Sequence, residues 1–305
     1  MTPPISDLLA RPGAGVIVPL VTPVTSDGRL DEPAAERLVA HVAGAGCGLL
    51  VLGTTGEVAS LSGGLRRRYI DLAVRVAARR VPVFACVAHN SLEESAALAR
   101  EHLRQGADAI VGMLPNYFEL TADDMRAYFR RLAEHTPGPF FLYNMPATTR
   151  MSLPLEVIAE LSRLPNVVGM KDSESTPGRL DQVAQRFGGR PGFALYMGVA
   201  AQAVAAFRRG FHGVVPSSGN LRPDLWRALH DAVLAGDWTR AERLQHRTDA
   251  ISTVLQRDRS LGRSLAALKA ALSARGLCGP EMMPPLVPLP AAAAAAVSDE
   301  LSRLE

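Results

Sequence analysis

The sequence predicts an α/β protein, a (β/α)8 TIM barrel with a C-terminal helical extension. Three observations carry this. Short apolar runs of strand length occur eight times, at 16–20, 48–52, 83–86, 109–113, 140–143, 167–170, 193–197 and 213–215. Each begins about 20 to 35 residues after the last, with helix-like periodicity between, as repeated βα units require. The runs are apolar throughout rather than alternating, which implies a parallel sheet buried on both faces. An open doubly wound sheet is the competing fold, but it usually carries a glycine fingerprint after its first strand. Here Thr22-Pro23-Val24-Thr25 follows the first run, with no such fingerprint.

The connecting helices are expected at 32–43, 65–78, 92–105, 122–134, 155–161, 180–187 and 200–209. Ser91 precedes one as an N-cap, and Thr121 with Asp124 three residues on approximates a capping box. Gly106, Gly188 and Gly210 stand at helix ends. After about residue 222 the strand signal stops. Helices are expected at 223–234, 238–257, 263–274 and 291–304, with an extended Pro-rich stretch at 284–290. The organisation is therefore a catalytic barrel at 1–222 and a helical extension at 223–305.

Composition narrows the class. The chain has 305 residues, is 48% hydrophobic and 21% charged, and carries a net charge of +3 with no basic run. That composition is globular, with no sign of a nucleic-acid partner. No apolar window of about 18 residues lacks charge, so no membrane span is expected. Met1–Ile5 lacks a basic region followed by an apolar stretch, so a signal peptide is not expected. Cys47, Cys86 and Cys278 are far apart and odd in number, which fits neither a disulfide framework nor a zinc site. A reduced, cytoplasmic setting follows. The histidines 41, 89, 102, 135, 212, 230 and 246 show no paired ligand spacing, so no metal and no cofactor are expected. His89, near a strand end, is open between loop hydrogen-bonder and substrate contact.

Of 33 basic residues only Lys171 and Lys269 are lysines. Coding bias explains the excess of arginine, but arginine cannot replace an amine nucleophile. Barrel chemistry sits at the C-terminal ends of the strands. Those ends carry Gly53-Thr54-Thr55-Gly56-Glu57, Pro115-Asn116-Tyr117, Tyr143-Asn144, Lys171-Asp172, Gly198 and Pro216-Ser217-Ser218-Gly219-Asn220. Apolar walls around Lys171 would favour the neutral amine, which attacks a carbonyl to form a Schiff base. The alternative is a lysine paired with Asp172 or Glu174. Tyr143 is open between proton shuttle and core aromatic. Thr54-Thr55 can present N–H groups and hydroxyls to an anion, or form an ordinary turn. Glu57 is expected to cap the following loop. Lys269 has no expected chemistry.

These motifs resemble the dihydrodipicolinate synthase and N-acetylneuraminate lyase family of Schiff-base barrel enzymes. Gly53-Thr54-Thr55-Gly56-Glu57, Tyr143-Asn144-Met145-Pro146 and Gly169-Met170-Lys171-Asp172 are similar to its three signatures, in order. The resemblance implies that Lys171 forms the imine with pyruvate or another 2-oxo acid and that Tyr143 shuttles protons. It implies that Thr54 and Thr55 hold the carboxylate and that Thr54 also relays protons. It implies that Gly198 and Val215 line the pocket, and that Tyr117 is lent to a neighbouring subunit. A homo-oligomer, a dimer of dimers, follows from the same resemblance.

Two departures bear on the second substrate. Synthases of this family carry an arginine where this chain has Thr148, and Arg150 is offset by two positions. Lys171-Asp172-Ser173 is more similar to the 2-keto-3-deoxy sugar acid aldolases. The expected function is therefore a class I aldolase giving pyruvate plus an aldehyde from a 2-keto-3-deoxy sugar acid or related 4-hydroxy-2-oxo acid. Ser217 is the expected contact to that chain, with Ser218 and Asn220 open between substrate and loop roles. The alternatives are 4-hydroxy-tetrahydrodipicolinate synthase, condensing pyruvate with aspartate semialdehyde, and a 2-keto-3-deoxy acid dehydratase. Gly63-Gly64 departs from the family pattern without clear functional meaning.

Overall fold

The computed structural model describes residues 5–304. The Met1–Pro4 part of the segment read for a signal peptide lies outside the described residues. The eight apolar runs become β1 (Ile17–Pro19), β2 (Gly48–Val51), β3 (Val83–Val87), β4 (Ala109–Met113), β5 (Phe140–Asn144), β6 (Val167–Asp172), β7 (Ala194–Met197) and β8 (Gly213–Val214). They pair in parallel in sequence order, and a Val16–Val214 bridge brings the last strand back to the first. Eight parallel strands with helices between them form the predicted (β/α)8 barrel.

The barrel helices are α1 (Ile5–Leu9), α2 (Glu32–Gly44), α3 (Gly63–Ala77), α4 (Leu92–Arg104), α5 (Ala122–Glu134), α6 (Pro146–Thr149), α7 (Leu155–Leu161), α8 (Arg179–Phe187) and α9 (Ala203–Phe207). Beyond them lie α10 (Pro223–Leu234), α11 (Trp238–Gln256), α12 (Leu261–Ala274) and α13 (Ala291–Ser302). The caps behave as their chemistry requires. Ser91 accepts from the Glu94 amide, and Thr121 and Asp124 form a reciprocal capping box. Two short helices, α1 and α6, have too few residues for a periodic signal. The helix expected at 200–209 is shorter, because its first turn is a 3-10 turn at Ala200–Gln202. No described helix is long and apolar enough to cross a membrane.

The barrel interior is a packed core. Phe84, Phe141 and Tyr196 meet edge to face, with centroids 5.2, 5.8 and 6.0 Å apart. Burying each such ring contributes roughly 1.5–3 kcal/mol. The Tyr196 hydroxyl donates to the Ala14 carbonyl at 2.8 Å, and Leu8 of α1 joins the same apolar cluster. Gly169 makes room for this packing. A Cβ there would lie 2.3 Å from the Ala194 carbonyl oxygen and 2.4 Å from the Phe141 ring. The buried faces of α10 and α11 share the outer core with the barrel helices, through Trp226, Leu229, Ile251 and Leu255.

Candidate active site

Strand register assembles the centre of the site. On β5 and β6, Tyr143 pairs with Lys171 and Asn144 with Asp172. Successive side chains on a strand point to opposite faces. Lys171 and Tyr143 therefore share the inner face, while Asn144 and Asp172 share the outer one. The Lys171 ammonium nitrogen lies 4.0 Å from the centroid of the Tyr143 ring. The Tyr143 hydroxyl lies 3.3 Å from the Thr54 hydroxyl. Amine, phenol and alcohol thus form a short chain across three strand ends.

The outer face answers whether Lys171 is merely ion-paired. Asp172 accepts from Arg179 Nε and Asn144 Nδ2, both at 2.8 Å, and from the Glu174 amide at 3.0 Å. Glu174 accepts from Ser152 Oγ at 2.6 Å and Asn144 Nδ2 at 2.9 Å. Both carboxylates are engaged by Arg179 and Asn144, behind the strand. Burial pushes the Asp172 carboxyl above its ordinary value, against the pull of Arg179. Among the described residues Lys171 has no carboxylate partner, so the ion-pair alternative is set aside. Nor does Cys86 act as its counter-ion. Burial pushes that thiol up to about 12, although Lys171 opposes the rise.

The Thr54-Thr55 turn is built to leave donors free. Its frame is held by Gly56 N to Gly53 O at 3.0 Å, Glu57 N to Thr54 O at 3.1 Å, and Thr22 Oγ1 to Gly56 O at 2.7 Å. Among the described residues the Thr54 and Thr55 amides have no protein acceptor. Unpaired amides beside hydroxyls form a receptor for a small anion.

These groups open into one cavity of about 700 Å³. Of the residues singled out in the sequence, Thr54, Thr55, Tyr143, Lys171, Gly198, Val215 and Ser217 all line it. Gly198 matters for space. A Cβ there would lie 2.9 Å from the Ser173 Cβ and 3.1 Å from the Asp172 carbonyl oxygen. Tyr117 does not line its own chain's cavity. It stands 77% exposed, in edge contact with Phe118, which is 72% exposed.

One expectation is corrected, and several residues left open in the sequence now have partners. Glu57 makes no capping hydrogen bond to the following turn. Its carboxylate instead pairs with Lys269 at 2.5 Å. Asn220 is fully buried, with Nδ2 donating to Pro19 O and Ser217 O and Oδ1 accepting from Val21 N. Ser218 is buried against Trp226 Nε1 and Ser252 Oγ, each at 3.1 Å. Neither lines the cavity, so both serve the loop. His89 Nδ1 accepts from the Ser91 amide at 3.0 Å, as a loop hydrogen-bonder. Thr148 donates its hydroxyl to Met145 O at 3.2 Å, and Arg150 is an exposed left-handed C-cap outside the cavity.

Sequence reasoning missed the outer wall. Asp249, Ser252, Thr253, Gln256, Arg257 and Asp258 line it from α11 and the turn that follows. No strand-end rule points at a helix that follows the last strand. The only available signal was the polar stretch 256–260, which breaks an otherwise amphipathic helical region.

A lysine amine at the end of β6, next to a phenol and a turn with free amides at one barrel mouth, is the arrangement of a lysine-dependent lyase of the Schiff-base class. The comparisons agree. A profile of the Dihydrodipicolinate synthetase family matches residues 12–304, and the chain belongs to that family. The 4-hydroxy-tetrahydrodipicolinate synthase of Hyphomonas neptunium is 36% identical over 286 residues, covering 93% of this chain and 96% of that one. The dihydrodipicolinate synthase structure from Bacteroides thetaiotaomicron superposes with a TM-score of 0.88 at 32% identity, covering 96% of this chain and 99% of that chain. YagE of E. coli K12, a prophage protein of the same family solved in complex with pyruvate, superposes with a TM-score of 0.89 at 28% identity, covering 95% and 98%.

Proposed function

We propose that this lyase joins pyruvate to aspartate semialdehyde, as a 4-hydroxy-tetrahydrodipicolinate synthase. The relatives' names support this partner, which reverses the order expected from sequence motifs. The observation that carries the chemistry is an amine with no carboxylate partner among the described residues, 4.0 Å from a phenol ring whose hydroxyl reaches Thr54.

Pyruvate enters with its carboxylate on the free Thr54 and Thr55 amides. The Lys171 amine adds to the C2 carbonyl, giving a carbinolamine that loses water to form the imine. Tyr143 carries protons between the carbinolamine, the Thr54 hydroxyl and the departing water. The protonated imine acidifies C3. Loss of a C3 proton gives the enamine, whose C3 forms a bond to the aldehyde carbon while the aldehyde oxygen takes a proton. Hydrolysis or ring closure then frees Lys171. Tyr117, exposed beside Phe118, serves the relay of a neighbouring copy in a homo-oligomer.

A second reading, cleavage of a 2-keto-3-deoxy sugar acid to pyruvate and an aldehyde, is supported by one observation. Thr148 stands where the synthases carry their carboxylate-binding arginine, and its hydroxyl is spent on its own turn. Ser173, Ser175 and Ser217 along the cavity would suit hydroxyls. A coupled assay with pyruvate and aspartate semialdehyde, run beside a panel of 2-keto-3-deoxy sugar acids scored by pyruvate release, decides. Robust turnover of a sugar acid, without turnover of the semialdehyde, reverses the assignment.

A further inference from the structure

The cavity over Lys171 does not end at its outer wall. A second chamber of about 350 Å³ adjoins it. The two share Thr55, Ser217, Gln256 and Leu261 as lining residues. Thr55 belongs to the anion-binding turn, so the second chamber begins beside the place proposed for the pyruvate carboxylate. Its far wall is made by Arg259, Ser264 and the apolar residues Leu255, Leu265 and Leu268.

Charge distinguishes the two spaces. The main cavity carries Asp249 and Asp258 as well as Lys171 and Arg257. Arg257 is already neutralised, because its Nη2 contacts both Glu300 carboxylate oxygens at 3.0 Å. Arg259 is the sole charged residue lining the second chamber. Its Nη1 donates to the Val254 carbonyl at 2.7 Å and to the Arg257 carbonyl at 3.4 Å. Those contacts fix the guanidinium at the end of α11. Among the described residues no carboxylate pairs with it. A planar, part-buried fork with unused donors, walled by leucines, matches a carboxylate better than any neutral group.

Building on the Schiff-base reading above, we infer that Arg259 binds a carboxylate at the far end of the aldehyde partner. Gln256, Ser264 and Ser217 supply polar contacts along the way. The arginine absent at Thr148 is thereby functionally replaced from the helical extension, not from the loop after β5. The substrate class is a short aldehyde acid, or a 4-hydroxy-2-oxo acid ending in a second carboxylate. Arg259 acts on selectivity for this partner and leaves imine formation alone.

The test pairs succinic semialdehyde with butyraldehyde, which replaces the carboxylate by a methyl group at equal chain length. Pyruvate consumption is followed with each. The wild-type enzyme is expected to prefer succinic semialdehyde at least tenfold in kcat/KM. Arg259→Ala is expected to lose that preference through KM while butyraldehyde kinetics stay unchanged, and Arg259→Lys to recover part of it. A preference that survives in Arg259→Ala, a wild type without preference, or a parallel fall for both aldehydes overturns the inference. Titration calorimetry with succinate gives a readout independent of turnover. Arg259→Ala should weaken binding at least tenfold, and unchanged binding also overturns it. Borohydride trapping of pyruvate on Lys171 should succeed in wild type and variant alike. Its failure in the wild type rejects the Schiff-base reading, while the succinate titration still decides on Arg259.

Discussion

Lys269 sets its ammonium 2.5 Å from a Glu57 carboxylate oxygen, and each side chain is 1% exposed. The other Glu57 oxygen accepts from the Met283 amide at 2.8 Å, and Lys269 also donates to the Glu281 carbonyl at 2.6 Å. The residue closing the Thr54-Thr55 turn is thus clamped to α12 and to the loop after it. The chain's two lysines divide the work: Lys269 is fully partnered, and Lys171 lines the cavity with no carboxylate paired to it among the described residues.

Breaking this pair from one side leaves a buried charge alone, which costs about 3–5 kcal/mol. Lys269→Met should therefore lower stability by that order, read as a drop in the urea midpoint. The double variant Lys269→Met with Glu57→Gln should recover part of the loss, because no charge is then stranded. Equal losses in single and double variants would show that packing, not charge, sets the cost.

Lys171→Arg keeps a cation on β6 but removes the amine nucleophile. Pyruvate with borohydride should add mass to the wild-type protein at Lys171 and none to this variant. Pyruvate consumption should fall to background. Lys269 gives an internal control, since its engaged ammonium should remain unlabelled.

Tyr143→Phe removes the hydroxyl that reaches Thr54 at 3.3 Å and keeps the ring beside Lys171. A positioned proton-transfer group contributes about 10²–10⁴-fold, so kcat should fall within that range. The borohydride adduct should still form, more slowly. Undiminished turnover would leave the relay to some other group.

The barrel and the mouth were legible because both follow local rules. Doubly apolar runs such as 167–170 mark buried parallel strands, and Lys171, Tyr143 and Thr54 fall where those runs stop. The Glu57–Lys269 pair was not legible. It joins residues 212 positions apart (269 − 57), through the way α12 docks on the barrel. Arg259 was hidden for the same reason, as one arginine among many on a helix end. Asn220 and Ser218 stayed open because a polar loop at a strand end looks the same whether it faces substrate or backbone. Their hydrogen bonds to Pro19, Val21 and Trp226 decide it.

His102 predicts an acid-sensitive fold. It is fully buried, and burial holds its imidazole below the ordinary 6.5, against the Gln105 hydrogen bond. On acidification the unfolded chain gains a proton near 6.5, and the native chain gains it only lower. The stabilising contribution is therefore present above 6.5 and is lost as pH falls toward the depressed native value. Burial lowers His41, His212 and His230 in the same direction. The urea midpoint should fall between about pH 7.5 and 5.5, and His102→Leu should flatten that slope. An identical slope in the variant would place the acid sensitivity elsewhere.

Gly198→Ala tests whether the cavity floor is as tight as it looks. The Gly198 amide donates to the Asp172 carbonyl at 2.7 Å, which fixes the backbone beside the strand that carries Lys171. An added methyl would come within 1.9 Å of the Ser173 hydroxyl and 2.9 Å of the Ser173 Cβ. The hydroxyl can rotate away, but the Cβ can move only with the backbone that leaves β6. Ser173 and Gly198 both line the cavity, so the adjustment narrows the space over Lys171. Overpacking of this kind typically costs about 1–3 kcal/mol. A cost of that size, expressed in binding, raises the pyruvate KM by roughly 5- to 150-fold. The borohydride adduct should then require correspondingly higher pyruvate concentrations. A variant with wild-type KM would mean that the Ser173 segment yields freely, and that the floor does not select by size.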